Sequence, residues 1–179
     1  MSRDLSVFQN FARNSLLWKL RVGSWNLVSE FLVSNFLVSS QVRVSLLRLF
    51  GAKIGKNCLV RRNTRIYFPW NLVIGTQTWL GENVQIINHE FVYIGSNVCI
   101  SQSAVICSSG HDYRSASLEY DHRPIEIKDG AWICLGATVL SGVTIGECSV
   151  VSAGEVARKS LPDYSMLVGG QVHPIDPPR

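Results

Sequence analysis

The sequence predicts an all-β solenoid, a chain that makes one short strand, turns by roughly 120 degrees and repeats, three strands to a coil. Three observations predict it. An aliphatic residue returns every six positions, as Ile54, Val60 and Ile66, then Ile74, Leu80 and Ile86, then Ile94, Ile100 and Ile106, and again as Ile127, Ile133 and Val139 before Ile145 and Val151. The fifth place of the hexads is small or β-branched, with Cys58, Thr64, Thr78, Val84, Val98, Ala104, Ala131, Ala137, Val143 and Ser149. Gly follows the coil-opening residue in Ile54-Gly55, Ile74-Gly75, Ile94-Gly95 and Ile145-Gly146. A period of six fits neither an amphipathic helix nor a half-buried flat sheet over this length.

Each hexad leader is expected to point inward and stack on its equivalent one coil away, with coils paired as parallel strands about 4.8 Å apart. The fifth position also faces inward, near a corner where space is tight. Asn and Gly at the bends tolerate the backbone angles of a sharp corner. One coil alone leaves its faces unpaired, so the repeats need neighbours.

Coils open at positions 54, 74, 94, 127 and 145, giving about five over residues 51–157. The extra residues of the first two coils fall after the third hexad, and a long excursion at about 107–124 leaves from that same corner. Residues 158–179 contain Pro162, Gly169, Gly170, Pro174, Pro177 and Pro178, and read as a short cap that stops further stacking.

Residues 1–50 are different. They hold six Lys/Arg against two Asp/Glu, whereas the rest of the chain balances to zero. The stretch 16–38 is strongly apolar but interrupted by Lys19, Arg21 and Glu30, so a conventional spanning helix is not expected. Nor does it have the form of a secretory signal. It reads as a basic, apolar helical arm of one or two helices packed on the body or on a neighbouring subunit. The other reading is an interfacial helix in peripheral contact with the inner membrane. No nucleic-acid partner is expected, because the body lacks the spread of positive charge such a groove needs. Cys58, Cys99, Cys107, Cys134 and Cys148 form no metal or disulfide spacing, which favours a cytoplasmic location.

Four stretches carry a narrower signal: Leu49-Phe50-Gly51-Ala52-Lys53-Ile54-Gly55, Pro69-Trp70-Asn71-Leu72, Gly110-His111-Asp112-Tyr113, and the run from Pro124 through Lys128-Asp129-Gly130-Ala131-Trp132 to Ile133. Together with the hexads they resemble the hexapeptide-repeat acyltransferases. Within these they are most similar to the colanic acid and exopolysaccharide acetyltransferase branch, related to the maltose and galactoside O-acetyltransferases. The resemblance covers roughly residues 50–170. It implies a left-handed parallel β-helix, an exception to the usual hand of parallel crossovers. It also implies acetyl-CoA as co-substrate, no metal, and a homotrimer with active sites between subunits.

The excursion carries Ser108-Ser109-Gly110-His111-Asp112-Tyr113-Arg114. A histidine at the base of a loop on a rigid scaffold is suited to general-base work, since its ordinary pKa of about 6.5 keeps it mostly neutral near pH 7. Moving an acetyl group from a thioester to a sugar hydroxyl needs such a base. The resemblance aligns His111 with the family's catalytic histidine. Its second ring nitrogen requires a carboxylate or a backbone carbonyl, with Glu126, Glu90 and Asp112 as the carboxylate candidates. Asn88, at the same corner one coil earlier, is expected to contact the acceptor, and Asp112, Tyr113 and Arg114 to shape its pocket. The resemblance places the pantetheine of the co-substrate along Leu135, Gly136, Ala153 and Gly154, with Lys159 toward a phosphate. Gln171 and His173 stand where the family has Pro and Arg, which weakens the expected nucleotide contact.

The function expected is acetyl-CoA-dependent O-acetylation of a sugar hydroxyl in exopolysaccharide, capsule or lipid-linked glycan biosynthesis. Two alternatives stand beside it. One is a non-catalytic scaffold of a polysaccharide assembly, and the other a γ-class carbonic anhydrase-like zinc enzyme drawing on His89, His111, His122 and His173.

Overall fold

A side chain in the interior of a triangular coil needs a corner that turns without swelling, and the backbone supplies it at a fixed place. The residue three after each hexad leader on the first two faces adopts positive φ: Asn57, Asn63, Gln77, Asn83, Asn97, Ser103, Gly130, Gly136, Cys148 and Gly154 all lie between +53 and +72°. Asn and Gly suit this region. Gln77, Ser103 and Cys148 are held there by the coils on either side, through bonds such as Gln77 N–H to the Lys56 carbonyl and Cys148 N–H to the Asp129 carbonyl (both 2.9 Å).

The computed structural model describes residues 15–177. Two helices, α1 (Leu16–Val28) and α2 (Ser40–Leu49), precede the solenoid. Coil one contains β1 (Lys53–Ile54), β2 (Leu59–Val60) and β3 (Arg65–Ile66). Coil two contains β4 (Leu72–Ile74), β5 (Trp79–Leu80) and β6 (Gln85–Ile87). Coil three contains β7 (Val92–Ile94), β8 (Cys99–Ile100) and β9 (Val105–Cys107). Coil four contains β10 (Ile125–Ile127), β11 (Trp132–Ile133) and β12 (Thr138–Leu140). Coil five contains β13 (Thr144–Ile145), β14 (Val150–Val151) and β15 (Val156–Ala157). The coils wind as a left-handed β-helix.

Equivalent strands form three parallel sheets, β1-β4-β7-β10-β13 on face one, β2-β5-β8-β11-β14 on face two and β3-β6-β9-β12-β15 on face three. The hexad leaders pair in register, Ile54 with Ile74 with Ile94 with Ile127 with Ile145. All of them are buried except Ile54, which is half-buried at the open end. The fifth-position residues are buried as expected, Cys58 alone remaining partly exposed. Gly146 is required by close approach, because a Cβ there would run into the backbone of Pro162 and Asp163.

The C-terminal segment departs from a simple stop. Leu161 bridges Ile145 on face one, and β16 (Ser165–Val168) adds a sixth parallel rung to face two against β14. Pro162 sits at the corner between them, where its missing N–H costs nothing. Only then does β17 (Gln171–Pro174) return antiparallel on β16 and end that sheet.

At the other end, coil one would leave a row of backbone carbonyls open on each face. The arm closes all three with side-chain donors. Arg48 donates to the Ile54 carbonyl on face one (Nη2, 2.9 Å), Arg43 to Val60 on face two (3.4 Å), and Trp25 Nε1 to Ile66 on face three (2.8 Å). Ser40 Oγ accepts from Val60 N–H at 2.8 Å. Arg43 is only 5% exposed and also donates to the Val33 and Asn35 carbonyls at 2.8 and 2.6 Å. Burial, then the Arg61 and Arg62 cations, lower its pKa against the pull of Glu82. Trp25, Val33 and Leu47 complete an apolar plug over the first coil. Among the described residues no helix is long and apolar enough to cross a membrane.

Replacing Arg43 by Leu strands three carbonyls in the plug. A loss of about 3 kcal/mol is expected, read as a fall of roughly 6–12 °C in the melting midpoint. Arg43→Lys recovers only part of it, since an ammonium lacks the planar fork.

Candidate active site

The third corner, where each coil passes from face three to the next face one, is the only one free of the repeated positive-φ turn in the first three coils. Coil one fills it with a short turn at Pro69–Asn71, coil two with Asn88, His89 and Glu90, and coil three with the excursion. The excursion is a pinned hairpin. Ser108 is fully buried, its Oγ accepting from Glu90 N–H (3.0 Å) and donating to the Glu90 carbonyl (2.9 Å), while its own carbonyl takes Ser141 Oγ and Arg123 N–H. The two legs meet through Asp121 N–H to Gly110 O and Asp112 N–H to Glu119 O, with His111 opposite Tyr120. Gly110 has no room for a side chain, since a Cβ would meet the Asp121 carbonyl at 2.7 Å.

His111 stands exposed on this hairpin. Its Nδ1 lies 2.5 Å from the Leu118 carbonyl. A carbonyl can only accept, so Nδ1 carries the proton and the basic lone pair belongs to Nε2. The fixing partner is therefore a backbone group rather than Glu126, Glu90 or Asp112. Leu118 reaches it by adopting φ +52°, a strained region for a branched side chain. Asp112 uses its carboxylate to accept from Arg114 N–H at 2.9 Å, folding the hairpin tip. Glu126 lies on face one, beside Tyr93, Lys128, Asp129 and Glu147. Tyr113 is exposed, and the Arg114 guanidinium lies 5.4 Å from its ring centroid, so both remain available to an acceptor.

Asn88 corrects the sequence expectation. It is fully buried, its Oδ1 accepting from Phe68 N–H (3.0 Å) and its Nδ2 donating to the Phe68 carbonyl (2.7 Å). Its amide completes a ladder rung where the corner has no paired backbone, so it is spent on the fold and cannot touch an acceptor. The groups beside it are the exposed His89, whose Nδ1 meets Ser109 Oγ at 2.5 Å, the exposed Tyr67 and the half-buried Phe68. His89 stacks on His122 (centroids 4.9 Å), and His122 on Tyr120 (4.5 Å). Burial lowers the pKa of both histidines, with His122 adding to the effect on His89 and His111 to that on His122. No turn motif in 113–119 announces a hairpin, so the return of His122 toward His111 is visible only in the antiparallel pairing of the two legs.

Among the described residues no group of three His, Cys, Asp or Glu is arranged to hold a metal ion. The His89 and His122 rings are tilted by 30° to one another, with their Nδ1 atoms turned to Ser109 and Gly110 rather than to a common centre. A zinc-hydrating site has no ligand set there.

Leu135, Gly136, Ala153 and Gly154 lie at the second corner, between faces two and three, one coil apart and joined by Gly154 N–H to the Leu135 carbonyl (2.9 Å). All four are exposed, and nothing lies within 4 Å of where a Cβ would stand on either glycine. This is a bare backbone ridge, a shape that admits a thin extended chain. Lys159 is exposed at the third corner of coil five. His173 is exposed on β17 opposite Met166. Within one subunit the ridge and His111 thus occupy different edges of the prism.

The chain is 40% identical over 120 residues to WcaF of Escherichia coli (strain K12), by name a colanic acid biosynthesis acetyltransferase, the match taking in 67% of this chain and 66% of that protein. It is 30% identical over 131 residues to the galactoside O-acetyltransferase of the same organism, covering 71% and 64%. The chain spans just under two thirds of the length of these two relatives. Among solved structures, the hexapeptide-repeat acetyltransferase VCA0836 of Vibrio cholerae, complexed with acetyl coenzyme A, superposes with a TM-score of 0.81 at 23% identity, over 92% of this chain and 91% of that one. A galactoside acetyltransferase in complex with coenzyme A gives 0.80 at 22% identity, over 94% and 86%. At such identity the structural likeness is one of fold. No family model matches the chain. On its repeat, its fold and its identity to WcaF, the chain belongs to the hexapeptide-repeat acetyltransferase family, related to WcaF and the galactoside acetyltransferases.

Proposed function

We propose that the protein is an acetyl-CoA-dependent O-acetyltransferase that modifies a sugar hydroxyl in the biosynthesis of a polysaccharide, whether exopolysaccharide, capsule or lipid-linked glycan. The observation that carries this reading is His111, held by the Leu118 carbonyl with Nε2 as its basic atom on a hairpin pinned to three coils. Nε2 takes the proton of the acceptor hydroxyl as its oxygen attacks the thioester carbonyl. The resulting imidazolium returns that proton to the departing thiolate, and acetyl ester and free thiol leave. The Nδ1–H bond to Leu118 also steadies the cation formed midway. Tyr113 and Arg114 border the acceptor, and the bare ridge at Gly136 and Gly154 suits the pantetheine, with Lys159 toward a phosphate.

Because ridge and base lie on different edges, the reading needs a second copy to bring them together, and it takes the assembly as a homotrimer. Face two supports this with an outward ladder of Leu59, Trp79, Cys99, Trp132, Val150 and Met166 in register. Trp79 and Trp132 remain about half exposed there. Removing that surface from water is the expected gain of assembly. The arm supports a further element of the reading, peripheral contact with the cytoplasmic face of a membrane. Leu16, Leu20, Leu27 and Phe31 form one exposed stripe on the side of the arm opposite Trp25. The basic excess of residues 1–50 complements anionic lipid.

Incubating the protein with labelled acetyl-CoA and a panel of free and lipid-linked saccharides tests the activity. His111→Ala is expected to lower turnover by about 10²–10⁴-fold with folding intact. Full activity in that variant overturns the assignment of the base, and no transfer to any acceptor favours the scaffold reading. A mass in solution of three chains is expected; an active monomer contradicts the shared site. Sedimentation with phosphatidylglycerol vesicles is expected to carry the wild type down and to leave a Leu20→Glu/Leu27→Glu double variant in solution, with transfer to a soluble saccharide unchanged.

A further inference from the structure

The hairpin that carries His111 is tied down by a second histidine that the proposed reaction does not use. Gly110, the residue immediately before His111, donates its N–H to His122 Nδ1 at 3.2 Å. The His122 ring packs against both His89 (centroids 4.9 Å, planes 30° apart) and Tyr120 (4.5 Å, 39°). Tyr120 packs on His111 in turn, at 5.0 Å and 34°. Four rings are therefore linked by successive contacts from the corner of coil two to His111, and His122 is the member that also holds the backbone of Gly110.

We propose that His122 is a positioning residue for His111, fixing the hairpin through its Nδ1 acceptor so that Nε2 of His111 meets the acceptor hydroxyl in line. This rests on His111 being the base.

The bond has a protonation requirement. Only the neutral imidazole with its proton on Nε2 can accept from Gly110, because the imidazolium has N–H on both nitrogens and would oppose the amide. The surroundings favour the neutral form. Burial first, then the neighbouring His111, lower the pKa of His122; Glu90 and Asp121 pull the other way, and Asp121 is itself engaged by Arg123. His89 and Tyr120 pack against its ring. With the folded pKa below the unfolded one, the neutral form contributes stability above the ordinary histidine range, lost as pH falls through the folded value. Acid should therefore disable the site twice, once by protonating the base and once by breaking the bond that aims it. Mispositioning of a reacting group by about 1 Å can cost on the order of 100-fold in rate, so the effect belongs in kcat.

Two substitutions separate the acceptor from the ring. His122→Asn places Oδ1 where Nδ1 stands and keeps the bond to Gly110. His122→Phe keeps the stacked ring and removes the acceptor. In the full-length protein His122→Phe is expected to lower kcat by roughly 10–100-fold, with KM for acetyl-CoA and for the saccharide within about threefold. His122→Asn is expected to retain kcat within about threefold. On the acid side the plot of log kcat against pH should steepen toward a slope of two in the wild type and keep a slope of one in His122→Asn. Wild-type kcat in the Phe variant, equal losses in both variants, or a change in KM alone would each overturn the proposal. Should the Phe variant not fold, the slope in the Asn variant decides, a persisting slope of two being the contrary result. His111→Asn serves as control: if it is fully active the base assignment fails, whereas its inactivity beside two wild-type-like His122 variants sinks this inference alone.

Discussion

Everything in this protein hangs on the backbone ladder between coils, which repeats at the same register on three faces. Each rung is only two or three residues long, too short to be stable by itself, and gains its order from the rung on either side. The ladder can stay in phase only if every coil is the same height and the same circumference. That is why positive φ recurs three residues after hexad leaders, even where Gln77, Ser103 or Cys148 must be forced into it. Two corners of the triangle are thus committed to the repeat. The third is not, and it absorbs the irregular lengths without disturbing the stack, so the loop bearing His111 can be long while its base remains fixed by Ser108 and Ser141.

A stack of this kind has two open ends. The arm meets the first with one donor per face, from Arg48, Arg43 and Trp25, over an apolar plug. An unpaired buried carbonyl costs about 1–3 kcal/mol, so three matched donors outweigh what any single helix contact contributes. At the far end the backbone itself finishes the task, with β17 turning antiparallel onto β16. The arm therefore has two faces with different duties: Trp25 and Arg43 belong to the solenoid, while Leu20 and Phe31 are left to an external surface.

The coil was legible because its cause is local: a side chain at every sixth position either fits the interior or does not, and the spacing of Ile54, Val60 and Ile66 records that directly. The place of His111 on the excursion was legible for the same reason, since it leaves the stack where the beat is broken. Asn88 was misread because a polar residue at a working corner looks the same in sequence whether it faces substrate or replaces a missing backbone partner. Leu118 and His122 were out of reach for a different reason. Their roles arise from the antiparallel return of the hairpin, which no residue pattern between Tyr113 and Glu119 marks, and Leu118 acts through an atom that every residue has. The sixth rung at β16 hid behind Pro162, which disrupts a strand interior but sits comfortably at a corner.

The bond from His111 to Leu118 has one more consequence. Where an imidazole is oriented by a carboxylate, losing that side chain abolishes the tautomer at a stroke. Here the orienting atom cannot be deleted by any substitution, because it belongs to the peptide unit. What can be lost is the shape that presents it: position 118 tolerates residues at ease in the left-handed region and resists those branched at Cβ. The proton placement on His111 is thus inherited as a bend in the chain, and the residue at the bend can drift among those that tolerate it without moving that proton.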